Sequence, residues 1–149
     1  MQRIDVSRLA PEAYRAMHAL ERFQRESGVP HSTLELIKLR VSQINGCAFC
    51  VDMHSHDAKK AGETDERLWS VATWREAPFY TEAERAALAL AEETTRLSDR
   101  PDAVPDDVWA EAAKHYDDET LAALVVAIAT INAWNRIGVA TRLVPGSRR

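Results

Sequence analysis

Apolar residues along this chain recur at the three- and four-residue spacing of helices, and no segment alternates apolar and polar residues for long enough to suggest a strand. Glycine and proline fall between the periodic segments, where they mark helix ends. The pattern therefore predicts an all-α fold of about six or seven helices. The predicted helices cover about 11–25, 32–45, 47–61, 64–74, 81–97, a short helix from 105 or 106, and 119–142.

Capping patterns set several of these boundaries. Segments 32–35 and 81–84 each match the capping box, in which a Ser or Thr side chain and a Glu side chain satisfy the first free backbone donors. Gly46 suits a left-handed cap after the second helix, and Gly62 is expected to end the third. Cys47 is therefore predicted in the first turn of that third helix.

The chain is predicted to be one domain, 1–149, with a helical core of about 10–142. No internal repeat and no linker interrupts it. The last residues, 145–149, are expected to form a frayed tail.

The last predicted helix is apolar on nearly every face between residues 121 and 131. A helix that is apolar all round must be buried on all sides. We therefore expect a second copy of the chain to cover part of it, and the alternative is a central core helix of the monomer. The face expected to need cover consists of Leu121, Leu124, Val125, Ile128 and Ile131.

Composition narrows the function classes. Apolar residues make up 46% of the chain and charged residues 28%, and acids and bases are interspersed at a net charge of -4. This charge pattern gives no sign of nucleic-acid binding. The first residues lack the apolar core of a signal peptide, and the longest apolar run is too short to span a bilayer. The sequence therefore predicts a cytoplasmic protein without membrane association.

The chemistry concentrates in a Cys-x-x-Cys pair, Cys47 and Cys50, followed by His54. A disulfide that closes so short a loop removes little chain entropy, so the pair is a poor staple for the fold. Cys50 and His54 are four residues apart and are neighbours on one helical face, which Cys47 shares. The spacing favours thiol redox chemistry.

Two devices could activate a thiolate here, and spacing does not choose between them. Cys47 would gain from the free N–H groups and the dipole at the helix N-terminus. Cys50 has His54 within reach as a base or a cationic partner. Either cysteine could therefore attack, with the other one completing a disulfide.

Structural alternatives exist for the same residues. Cys47, Cys50, His54 and His56 could be drawn as zinc ligands, but His56 would face away and no second Cys-x-x-Cys follows. The cysteines could also be buried and inert. Glu35 could simply be the capping partner of Ser32. His18, His31 and His115 are interpreted as surface residues, and Trp69, Trp74, Trp109 and Trp134 as packing residues.

The segment from Glu35 to His54 resembles the core of the alkylhydroperoxidase D-like proteins within the carboxymuconolactone decarboxylase superfamily, and Asn132-Ala-Trp134-Asn135-Arg136 resembles their closing helix. The resemblance covers most of the chain, from the first helix to about Arg142. It implies an all-helical bundle that assembles as a homo-oligomer. A hexamer is favoured, and a trimer is the alternative.

The resemblance also implies roles for four residues: Glu35, Cys47, Cys50 and His54 match the family's proton relay and cysteine pair. In that scheme Cys50 attacks the peroxide and Cys47 resolves the product as a disulfide. One position departs from the pattern, since the family's peroxidases carry a histidine where this chain has Phe49.

The implied function is a thiol-dependent peroxidase that reduces hydroperoxides without metal or other cofactor and is itself reduced by an external dithiol. One alternative is lactone or small-acid chemistry with Glu35 and His54 as acid and base. The family's namesake decarboxylases generally lack the cysteine pair that this chain carries. The other alternative is a non-enzymatic redox-sensing oligomer.

Overall fold

The computed structural model describes residues 1–147, and within them every regular element is helical. The all-α prediction is therefore confirmed. Two short 3₁₀ turns, Val71–Thr73 and Leu97–Asp99, interrupt the α-helices. The helices are α1 Val6–Leu9, α2 Pro11–Glu26, α3 His31–Ile44, α4 Ala48–Lys60, α5 Asp65–Ser70, α6 Glu82–Thr95, α7 Asp106–His115 and α8 Asp118–Thr141.

The described residues form eight α-helices, where six or seven were predicted. The addition is α1, a single turn that is too short to show apolar periodicity. The Asp5 side chain caps it by accepting from the backbone N–H groups of Ser7 and Arg8. Two other predicted helices are shorter than expected, because each passes into a 3₁₀ turn at its C-terminal end.

The two predicted capping boxes had different outcomes. Thr81 and Glu84 form one at the start of α6, as predicted. The prediction for Ser32 was wrong, because α3 begins one residue earlier, after Pro30. The Pro30 ring holds φ at -56°, and its carbonyl accepts the first helical bond from Leu34 at 3.0 Å. Ser32 therefore lies inside the helix, and the Glu35 side chain is not a cap.

Helix α3 lies at the centre of the fold, where it packs against α4, α6 and α8. Its apolar residues are at most 1% exposed on more than one face: Leu34, Leu36, Ile37, Leu39 and Val41. Each such side chain contributes about 1.5–3 kcal/mol to the free energy of unfolding. A helix buried this deeply carries its polar residues into the interior as well, and Glu35 and Lys38 are among them.

The expectation that a second copy covers α8 loses its basis in the structure. Leu121, Leu124, Ile128 and Ile131 are at most 3% exposed within one chain, because α2, α3 and α6 pack around the helix. Val125, the fifth residue of that face, is half-buried. A central core helix therefore accounts for four of the five residues, and the homo-oligomer stays a prediction. Among the described residues α8 is the one helix long and apolar enough to cross a membrane, and half of its most apolar window is buried in the fold.

The predicted frayed tail is wrong for its first residues. The Gly146 N–H donates to the Asp52 carboxylate on α4 at 3.0 Å, and the Ser147 N–H donates to the Val144 carbonyl. These bonds hold the tail against α4. The other two tail residues, Arg148 and Arg149, lie outside the described residues.

Candidate active site

The cysteine pair lies at the junction of α3 and α4. After α3 ends, Gly46 takes a left-handed conformation, with φ at +68°. Cys47 then occupies the N-cap position of α4, one residue before the predicted first turn, and its sulfur accepts the Cys50 N–H at 3.4 Å. The two cysteines are disulfide-bonded, with their Cα atoms 5.3 Å apart. The pair can therefore open and close within a single turn of helix.

A network of asparagine side chains fixes the turn that precedes Cys47. The Asn45 amide donates to the side-chain oxygens of Asn132 and Asn135, both at 2.9 Å. The Asn135 amide in turn donates to the Ser42 hydroxyl at 3.0 Å. The α8 stretch that resembles the family's closing helix therefore ties the start of the cysteine turn to the core.

A cavity of about 420 Å³ opens beside the disulfide, between α2, α3, α4 and α8. Cys50, His54 and Glu35 all border it, and so does Phe49. Cys47 is not part of this lining, and both cysteines are buried, with Cys50 2% and Cys47 1% exposed. A small molecule that enters the cavity therefore meets the sulfur of Cys50 first.

The backbone of α8 closes in on the disulfide at Gly138. A Cβ atom at this position would lie 3.0 Å from the Cys47 sulfur and 3.7 Å from the Cys50 sulfur. Sequence reasoning missed this residue. The available signal was an isolated glycine inside a helix, which costs about 1 kcal/mol against alanine and usually has a packing reason.

Gly138→Ala is therefore expected to lower the free energy of unfolding by about 1–3 kcal/mol, because the new methyl group overpacks the sulfur pair. The measurement is urea unfolding of the oxidised protein. Ala140→Gly, on the exposed side of the same helix, is the control for backbone propensity. Since alanine is intrinsically the better helix former by about 1 kcal/mol, a Gly138→Ala protein that is more stable than the parent by this amount would contradict the close packing.

Glu35 and His54 form a buried pair on the α3–α4 side of the cavity. The His54 Nδ1 atom donates to the Glu35 Oε2 atom at 2.9 Å, and the two residues are 6% and 7% exposed. Burial by itself raises the pKa of the Glu35 carboxyl, but the hydrogen bond from His54 and the positive charges of His54, Lys38 and His31 outweigh it. The pKa of Glu35 is therefore below its usual value. A carboxylate that stays ionised accepts the Nδ1–H bond and holds the imidazole in place.

A second buried ion pair lies on the α2 side of the same cavity. The Lys38 ammonium donates to Glu21 at 2.6 Å, and the other Glu21 oxygen accepts the Trp134 indole N–H at 3.1 Å. Lys38 is 3% exposed. Glu21 and Lys38 were not singled out from the sequence, and Trp134 was interpreted only as a packing residue and as part of the closing helix, because the contact joins positions on α2, α3 and α8.

The other histidines divide into two groups. His56 points away from the cysteines, as its helical position predicted, and its ring bonds the Asp52 carbonyl. His115 is exposed, as expected, whereas the exposed residues His18 and His31 also border the cavity. Among residues 1–147, no cluster of three or more His, Cys, Asp or Glu side chains is placed to hold a metal ion.

The fold and the site together define a helical protein with a buried, cavity-facing cysteine pair beside a His–Glu pair. Residues 10–93 match the carboxymuconolactone decarboxylase family. The chain therefore belongs to this family, and the solved structures of similar fold identify it as an alkylhydroperoxidase D-like member.

Individual relatives agree with this placement. The uncharacterised protein YdfG of Bacillus subtilis is 44% identical over 93% of each chain. The crystal structure of ATU0492 from Agrobacterium tumefaciens, a protein of unknown function suggested to be the antioxidant defence protein AhpD, superposes with a TM-score of 0.91 at 41% identity, over 97% of this chain and 98% of that one. The debrominase Bmp8 shares the fold, with a TM-score of 0.81 at 24% identity, over 92% of this chain and 73% of that one.

Proposed function

We propose that this protein is a thiol-dependent peroxidase that reduces hydroperoxides. The observation that carries the proposal is the position of the Cys50 sulfur, which borders a cavity next to the Glu35–His54 pair, while Cys47, bonded to it, is not part of the cavity lining. The residues alone left either cysteine as the attacking thiol. This arrangement supports Cys50 in that role and Cys47 as the resolving thiol.

The reaction begins with the reduced pair. The Cys50 thiolate attacks the terminal oxygen of the hydroperoxide, the O–O bond breaks, and the leaving alkoxide takes a proton from the His54 imidazolium. Cys50 is then a sulfenic acid. His54, now neutral, takes the proton of the Cys47 thiol, and the Cys47 thiolate attacks the Cys50 sulfur. The S–O bond breaks as the disulfide forms, and the departing hydroxide takes that proton from His54 and leaves as water.

An external dithiol completes the cycle by thiol–disulfide exchange, which returns both cysteines to thiols and oxidises the donor. Glu35 keeps the imidazole oriented and compensates its positive charge throughout. The steps use two thiols, one hydroperoxide and one dithiol per turnover. The homo-oligomeric assembly, hexamer or trimer, and the cytoplasmic location stay predictions.

The proposal is tested by trapping thiols after a titrated dose of peroxide. We expect a fully reduced protein to lose both alkylatable thiols together, with one disulfide formed per molecule of cumene hydroperoxide, and a small dithiol to restore them. Mass spectrometry of the alkylated protein counts the remaining thiols. Thiols that stay alkylatable at equimolar peroxide would contradict the proposal.

The Glu35–His54 pair also supports the lactone or small-acid alternative, in which the cysteines are bystanders. Replacing both cysteines by serine separates the two functions, because acid–base chemistry would survive that change. In a redox sensor without catalysis, the disulfide would still form, but a dithiol would support no continuous consumption of peroxide.

A further inference from the structure

Three rings from two helices form one wall of the cavity. Tyr14 and His18 come from α2 and Trp134 comes from α8, and all three border the cavity. Their centroids are 4.7 Å apart for Tyr14–His18, 5.2 Å for Tyr14–Trp134 and 5.5 Å for His18–Trp134, with interplanar angles of 62°, 74° and 58°. The cluster offers ring edges and faces of the kind that aromatic ligands contact.

This wall lies close to the sulfur pair. Trp134 precedes Gly138 by four residues on α8, which corresponds to about 6 Å along the helix axis. A Cβ atom built on Gly138 would lie 3.0 Å from the Cys47 sulfur and 3.7 Å from the Cys50 sulfur, so this part of α8 runs close to the disulfide. Trp134 is therefore one helical turn from the point where α8 approaches the disulfide, and it borders the same cavity as Cys50.

The wall is also held in a fixed position. The Trp134 N–H donates to Glu21, and the Lys38 ammonium donates to the same carboxylate. The indole therefore has its polar atom satisfied and presents its apolar surface to the cavity.

The charges inside the cavity are compensated by one another. Lys38 is paired with Glu21, and His54 is paired with Glu35. Of the remaining titratable groups on its border, Asp5 is half-buried and caps α1 by accepting from the N–H groups of Ser7 and Arg8. The others are exposed: His18, Arg25, His31 and Asp57. A charged ligand would have to break a buried pair to find a partner in the interior, and this is costly.

Resting on the proposed peroxidase activity, we propose that the substrate is a hydroperoxide with an uncharged aromatic body. Its ring packs against Tyr14, His18 and Trp134, and its peroxide group reaches Cys50. A cavity of about 420 Å³ is within the range of sites for small organic molecules.

The test compares an aromatic with an aliphatic hydroperoxide. The parent protein is expected to reduce cumene hydroperoxide with a higher kcat/KM than tert-butyl hydroperoxide. Trp134→Leu and Tyr14→Leu should each lower that ratio, by up to about tenfold, because each removes one ring contact. Trp109→Leu is the matched control, since Trp109 is 45% exposed on α7, away from the cavity, and the ratio should not change. Equal rates for the two substrates in the parent protein, or ratios unchanged in both cavity variants, would overturn the inference.

A binding measurement distinguishes this inference from the proposed function. The alcohol formed from cumene hydroperoxide, 2-phenyl-2-propanol, is unreactive and is expected to shift the NMR signal of the Trp134 indole N–H in the oxidised parent protein, whereas tert-butanol is not. Turnover of both hydroperoxides without this selective shift would contradict the aromatic substrate and would still support the proposed peroxidase activity. A selective shift without any peroxide turnover would contradict the proposed peroxidase activity and would still support a cavity that binds aromatic compounds.

Discussion

Cys50→Ser is expected to reduce hydroperoxide turnover to the uncatalysed background, whereas Cys47→Ser keeps the first chemical step. Cys50 is the sulfur that borders the cavity, and a serine hydroxyl in its place is not ionised near neutral pH. Cys47 is not part of that lining and enters only when the sulfenic acid has formed. The measurement is stopped-flow consumption of cumene hydroperoxide with a small dithiol in excess.

The two variants serve as matched controls for each other, because both lose the disulfide and one thiol. In a separate measurement without dithiol, Cys47→Ser should reduce one equivalent of peroxide in a single burst and accumulate a sulfenic acid that a dimedone probe traps at Cys50. Cys50→Ser should give neither burst nor adduct. A burst from Cys50→Ser together with a silent Cys47→Ser would reverse the roles of the two sulfurs.

Local sequence signals predicted much of the fold. The positions of Gly46 and Gly62 predicted left-handed turns, and both glycines have positive φ, +68° and +98°. Thr81 and Glu84 form the predicted capping box because both partners lie within one turn. The same locality placed Cys50 and His54 on one face of α4. Each of these predictions depends on residues at most four positions apart.

The site itself depends on contacts that local patterns do not encode. The local pattern predicted Glu35 as a capping partner, whereas the family resemblance placed it in the proton relay. In the structure Glu35 forms a hydrogen bond with His54, nineteen positions away. The start of α3 decided between them, because the N-cap is Pro30, two residues before Ser32. Trp134 borders the cavity and Gly138 approaches the cysteine sulfurs only through the packing of α8, and no spacing rule connects either residue to the cysteines.

The expectation for α8 was limited for a related reason. A helix that is apolar on every face must be buried, but its sequence does not identify the segments that bury it. In this chain α2, α3 and α6 supply the cover, so Leu124 and Ile128 are fully buried without a second copy. The family resemblance is therefore the remaining support for the predicted homo-oligomer.

The Glu35–His54 pair supports a second large effect: Glu35→Gln is expected to lower the rate of Cys50 oxidation by about 100- to 10,000-fold. Glutamine keeps the volume and one acceptor oxygen, so the hydrogen bond at 2.9 Å can persist. It lacks the negative charge that stabilises the imidazolium when the proton is passed. Rapid quench with mass detection of oxidised Cys50 measures this single step.

Glu82→Gln removes the same charge from a side chain that is 80% exposed, at the start of α6, and is expected to leave the rate unchanged.

The pH dependence of unfolding gives a second readout, because the Glu35 pKa in the folded protein is below its ordinary value of 4.5. The resulting stabilisation is present above pH 4.5 and is lost as the pH falls through the folded-state pKa. The parent should therefore lose more stability than Glu35→Gln between neutral pH and that acid range. Equal acid losses, or a Glu35→Gln rate within a few-fold of the parent, would mean that the buried carboxylate takes no part in the proton transfer.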